Sequence, residues 1–158
     1  MVSFINGLDT NLMLSKDLQL IKLVQHRNIE GVAFYASLIT INNIKDLSTC
    51  AIQHIDTTIL KFLLKKSKNL YYYKRDRNLY KRYLVALIIP TLNIIMLIWL
   101  FNNVNAYLKK CQTPLYYILQ DLKLCHSRGH ETCSLLRTIS TIKLKNPTIE
   151  EVQINFNI

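Results

Sequence analysis

The nine positions Cys125-His126-Ser127-Arg128-Gly129-His130-Glu131-Thr132-Cys133 bring thiol, imidazole and carboxylate groups into one short stretch. Thiolate and imidazole suit zinc, which takes sulfur and nitrogen ligands tetrahedrally. On a continuous helix His126 and His130 share a face, and Cys133 follows one turn later. Arg128 and Gly129 argue against such continuity. The spacing is neither a CxxC pair nor a zinc knuckle, and His130-Glu131 lacks the second His of the metalloprotease pattern. The plain alternative is one buried thiol, one thiol in a disulfide and two solvated imidazoles. Cys125, His126, His130 and Cys133 are thus candidate metal ligands. No catalytic residue and no cofactor are expected.

A denser constellation is cationic. Lys65, Lys66, Lys68, Lys74, Arg75, Arg77, Lys81 and Arg82 crowd 18 positions, in a chain whose formal net charge is +10. A cluster of this sign favours an anionic partner, either lipid headgroups or nucleic acid. Tyr71, Tyr72, Tyr73, Tyr80 and Tyr83 interleave with the cations. Tyrosine prefers the headgroup layer, and Lys or Arg can snorkel toward it. The same mixture stacks bases and tracks a phosphate backbone. Its position immediately before an apolar run favours the lipid surface.

That run, Leu84–Phe101, reads LVALIIPTLNIIMLIWLF and holds no charge. As one helix its 18 residues would span about 27 Å, close to the ~30 Å of a bilayer's hydrocarbon core. Its twelve Leu, Ile, Val and Phe side chains each return about 0.3–0.6 kcal/mol on insertion, roughly 4–7 kcal/mol together. Pro90 and Asn93 oppose this. They stand three positions apart, so they would share a face that packs on another membrane helix through the Asn93 amide. Trp99 suits an interfacial anchor. Cations before the run far outnumber Lys109 and Lys110 after it, which places the N-terminal side in the cytoplasm. Cys111, Cys125 and Cys133 would then face an oxidising space. The competing reading makes 84–101 a buried core helix.

The remaining elements also read as helices. Residues 9–26 carry Leu14, Leu18 and Ile21 on one face after a cap at Asp9 or Thr10. Residues 28–41 and 46–66 repeat the pattern; in the latter Ile52, Ile55, Ile59, Phe62 and Leu63 form a stripe. Thr113-Pro114 starts a helix over 114–125, with Ile118, Leu119, Leu122 and Cys125 inward and Gly129 ending it. Near the C-terminus Ile142 and Leu144, then Val152, Ile154, Phe156 and Ile158, alternate with polar residues, which predicts a short hairpin or strand. Asn146-Pro147-Thr148 is a competing helix-start signal. The opening MVSFINGLDT lacks a charged n-region and an apolar h-region, so no secretory signal is expected.

Asp17-Leu18-Gln19-Leu20-Ile21-Lys22-Leu23-Val24 and Asp56-Thr57-Thr58-Ile59-Leu60-Lys61-Phe62-Leu63 share one pattern, 39 positions apart. It resembles the second helix of a degenerate ankyrin-type repeat. The offset exceeds the usual period of ~33, and the T-P-L-H turn is absent. Two amphipathic helices of common pattern are the plainer explanation.

The expected protein is therefore mainly α-helical: an N-terminal helical module (1–68), a basic Tyr-rich collar (69–83), a transmembrane helix (84–101) and a C-terminal helical segment with a possible terminal hairpin (102–158). Three glycines leave little material for phosphate-cradling loops, and no small-molecule substrate is evident. The expected role is non-enzymatic: a single-pass anchor or scaffold that engages anionic lipids and a protein partner or a second copy of itself. The alternative is a soluble helical interaction protein of ankyrin-like or basic ribonucleoprotein type, with nucleic acid as the less favoured partner.

Overall fold

A computed structural model describes Lys22 and residues 39–144. Six helices account for most of this span: α1 Ile44–Gln53, α2 Thr57–Leu70, α3 Lys74–Ile88, α4 Ile94–Cys111, α5 Thr113–Ser127 and α6 Cys133–Thr141, with a 3-10 turn at Ile89–Thr91 between α3 and α4. No strand occurs among the described residues. The mainly helical expectation holds in that coarse form. The expected helix at 9–26 is described at Lys22 alone, which is helical; residues 28–38 of the expected helix 28–41, and the strand positions 152–158, lie outside the described residues. Ile39 and Thr40, expected in a helix, are not helical, and Ile142–Leu144 carry no regular structure.

The chain divides into two compact units, 1–63 and 64–158. In the described part of the first, α1 buries Ile44, Leu47, Ala51 and Ile52. The expected single helix over 46–66 is broken between α1 and α2. Asp56 N–H donates to Ala51 O at 2.8 Å and Ile55 N–H to Ile52 O at 3.1 Å. That bond pair is a Schellman ending, which needs a left-handed residue at the turning point. Ile55 is that residue, at φ +54°, and its exposed side chain leaves the expected apolar stripe. Asp56 then starts α2, its carboxylate accepting Ile59 N–H at 3.1 Å.

The second unit is built of consecutive helices. α3 packs on α4, α4 most extensively on α5, and α5 on α6, which also reaches the 3-10 turn. The expected continuous helix over 84–101 is not formed. Pro90 has no N–H to continue the ladder of α3. The Thr91 hydroxyl bonds Ile88 O instead, Leu92 turns left-handed at φ +51°, and Asn93 caps α4 by accepting Met96 N–H at 3.2 Å. Asn103 Nδ2 donates to Trp99 O at 2.9 Å, and Val104 departs from helical angles at φ −128°, ψ 18°, so α4 itself is kinked. Such side-chain competition for the backbone bends helices. Among the described residues no helix is long and apolar enough to cross a membrane.

The apolar run is instead a pair of short segments turned into the unit. Leu84, Val85, Ile88, Met96, Leu97, Trp99 and Leu100 are all buried. Each large buried side chain contributes about 1.5–3 kcal/mol, which outweighs the ~1–2 kcal/mol of holding Leu92 left-handed. Trp99 is a core residue, not an interfacial anchor. Across from α4, α5 buries Leu115, Leu119 and Leu122. It begins one residue earlier than its Thr-Pro signal predicts, with Gln112 in the capping position and Pro114 within the first turn. Phe101 and Tyr116 stack at 5.3 Å between the two helices, with Lys123 Nζ 5.6 Å from the Phe101 centroid.

Candidate functional site

The basic collar runs from the last turn of α2 through the non-helical segment Tyr71–Tyr73, here called the tip, into α3. Arg77 closes this tip. One of its terminal nitrogens, Nη1, donates to Tyr71 O at 3.0 Å and to Tyr72 O at 2.8 Å. Tyr71 turns inward and meets Tyr80 at 5.8 Å between ring centroids. Burial raises its phenol pKa well above the usual range, with Asp76 and then Tyr83 adding to the shift. Tyr80 and Tyr83 are also buried. Only two of the five collar tyrosines therefore stand outward: Tyr72 is 84% exposed and Tyr73 66%. They meet edge to face at 5.1 Å.

The eight collar cations separate into roles. Lys65, Lys68, Lys74 and Arg75 are exposed; Lys66, Arg77, Lys81 and Arg82 are half-buried. Lys81 has its pKa pushed down, first by burial and then by the like charges of Lys68, Arg77 and Lys74. Those four groups act on a common region. Lys65 and Lys66 stand earlier on α2, apart from the charges that act on Lys81. Arg75 lies 3.8 Å from Asp76, in a pair too exposed to contribute much. Arg82 Nε donates to the Tyr107 hydroxyl at 3.4 Å and so braces α3 on α4. Asp76 is the one carboxylate between residues 57 and 120, so little opposes the positive field. The N-terminus of α3, with no side-chain cap from Tyr73, adds its positive dipole end at the same place.

The other candidate sites are dispersed by the fold. Pro90 and Asn93 do not form a helix-packing face: Pro90 is exposed in the 3-10 turn, and the Asn93 side chain is used on its own backbone. Cys125 and His126 stand in the last turn of α5. Gly129, at φ +71°, ends that helix, His130 lies in the following loop, and Cys133 opens α6. The continuous helix that would align the ligands is therefore absent. Among the described residues no group of three or more His, Cys, Asp or Glu side chains is placed to hold a metal ion. The four cysteines are thiols, with Cys50 buried and Cys111 and Cys133 exposed.

Two features of the collar go beyond the sequence expectation. One is the Arg77 clamp, which depends on a carbonyl geometry that residue types do not reveal. The other is the inward turn of Tyr71, Tyr80 and Tyr83, for which the spacing of 80 and 83 on one helical face is a usable signal. No protein-family model matches the chain, and no curated protein or solved structure matches it either.

Proposed function

We propose that this protein is a non-enzymatic helical anchor or scaffold that attaches to an anionic membrane surface through the tip and cationic face of its collar. The observation that carries the reading is the grouping of Lys74, Arg77 and Lys81 on one face of α3, with Lys68 in the last turn of α2, in a stretch of sequence whose one carboxylate is Asp76. The exposed Tyr72 and Tyr73 supply amphipathic rings just before α3, suited to the headgroup layer. A compact tip carrying charge and phenols fits a planar surface better than it fits a polynucleotide, which needs a groove to follow. Attachment of this kind rests on surface contact and needs no spanning helix. The anionic leaflet it implies is the cytoplasmic one.

Flotation of the full chain with phosphatidylcholine vesicles, with and without phosphatidylserine, tests this. The protein should float with the anionic vesicles alone and detach at high salt. Each Lys or Arg near such a surface contributes about 1 kcal/mol. Changing Lys65, Lys66, Lys68, Lys74 and Arg75 together to Gln should therefore weaken binding at least about a hundredfold. Equal binding to neutral vesicles, or an unchanged quintuple variant, would sink the idea.

A second reading has its own support. Leu84, Val85, Ile88, Met96, Leu97 and Leu100 are buried among consecutive helices like a core, and Ile95, Tyr117 and Leu124 are exposed on α4 and α5. That arrangement suits a helical module that holds a protein partner or a second copy of itself. It gains if the wild-type chain fails to float.

A further inference from the structure

We infer that Lys68, Lys74, Arg77 and Lys81 form one site for the headgroup of a multiply phosphorylated lipid, a deepening that rests on the membrane-surface reading above. Lys74, Arg77 and Lys81 follow one another at spacings of three and four on α3, so they share a face. Lys68 joins them from the last turn of α2. The charges acting on Lys81 are all positive, and they add to burial in making its ammonium costly to keep. Like charges gathered in this way favour whatever neutralises them together. A compact polyanion does so at one point, whereas singly charged lipids must be collected around it.

The chemistry of a phosphomonoester matches this. It carries about −1.5 to −2 charges near neutral pH and three acceptor oxygens. Arg77 enters the site already fixed by its bonds to the Tyr71 and Tyr72 carbonyls, so the guanidinium loses little freedom on binding. Asp76, the carboxylate nearest in sequence, faces Arg75. Tyr72 and Tyr73 directly precede α3 and are exposed, suited to headgroup depth.

The deciding experiment is equilibrium binding of the full chain to two vesicle types of equal surface charge. One carries phosphatidylserine, the other phosphatidylinositol bisphosphate, both in phosphatidylcholine. The bisphosphate vesicles should bind at least about tenfold more tightly, since charge-assisted bonds to a phosphate exceed diffuse attraction. Lys68→Gln and Lys81→Gln should each erase most of that preference while binding to the phosphatidylserine vesicles falls by no more than about fivefold. Circular dichroism should show both variants folded. Arg77→Lys keeps the charge but shortens the reach to the two carbonyls and replaces the planar guanidinium with a point charge, and should lose part of the preference. Equal affinity for the two vesicle types overturns this inference and leaves the surface reading standing. Absence of binding to either overturns both. A homopolymeric RNA bound more tightly than the bisphosphate vesicles, and weakened by the same two variants, also overturns it.

Discussion

The ends of α1 and α5 are tied by the same two hydrogen bonds but occupied by different residues. At the end of α1, Asp56 N–H reaches Ala51 O and Ile55 N–H reaches Ile52 O. At the end of α5, His130 N–H reaches Cys125 O at 2.9 Å and Gly129 N–H reaches His126 O at 3.1 Å. Both require a left-handed residue at the turning point, φ +54° at Ile55 and +71° at Gly129. Glycine adopts that conformation freely, whereas a β-branched residue opposes it by about 1–2 kcal/mol. The α1 end forms nevertheless, because the next helix compensates for the strain: Asp56 caps α2, and Ile59, Leu60 and Leu63 become buried. Helix breaks are thus decided as much by the residue that starts the next helix as by the one that ends the last.

Exchanging the two residue types tests this most severely. Gly129→Ile should destabilise by about 1–2 kcal/mol through backbone strain, read as a lower urea midpoint. A Cβ at position 129 meets nothing within 4 Å, so steric crowding would not explain the loss. No loss would mean that the ending of α5 is not held left-handed in solution. Next comes the starting side. Asp56→Ala removes the acceptor of Ile59 N–H, and Asn93→Ala removes that of Met96 N–H; each should cost about 1 kcal/mol in the same assay. A neutral Asp56→Ala would mean that the cap of α2 does not enforce the break.

The reverse exchange is smaller and opposite in sign. Ile55→Gly should stabilise by about 0.5–1 kcal/mol, part of the released strain being offset by the greater freedom of unfolded glycine. Thermal melting suffices to see it. Leu92→Gly should gain less or lose, because that side chain is half-buried.

Alkaline titration separates the collar from these helix ends. Tyr71 keeps its proton in the folded state above the ordinary phenol value of 10.0, where the unfolded chain releases it. Stability should therefore fall as pH rises past about 10. Lys81 acts oppositely: its lowered pKa means the folded chain sheds a proton first, so stability rises slightly as pH approaches 10.5. Tyr71→Phe should remove the alkaline fall, measured by circular dichroism, and none of the helix-end variants should alter it. A fall that persists in Tyr71→Phe assigns the transition to another group.

Legibility in the sequence depends on residue type. Gly129 announces its helix end, and Thr113-Pro114 announces the start of α5 to within one position. Leu119 and Leu122 face inward, as their spacing predicts. Ile55 conceals its break, since periodicity treats any apolar residue as a helix interior, whereas the break at Leu92 is marked by Pro90 two positions earlier. The clues are Asp56 and Asn93, each standing three residues before a helical N–H it caps, but aspartate and asparagine serve many other roles. In the collar the cations are visible and their grouping is not. Lys74, Arg77 and Lys81 share a face only because α3 begins at Lys74, and Arg77 ties that first turn to the Tyr71 and Tyr72 carbonyls. The spread of Cys125, His126, His130 and Cys133 stems from Gly129, whose effect on helix continuity the sequence does show.

The packing order of α3, α4 and α5 has a kinetic side. The 18-residue apolar run is the stretch most prone to aggregation while the chain is unfolded, and its covering segments adjoin it in sequence. Contacts of such low order close small loops at little entropic cost and form early. The run is thus buried by α5 as soon as α5 is available, without waiting for distant segments, which shortens the interval in which its Ile and Leu side chains are open to other molecules.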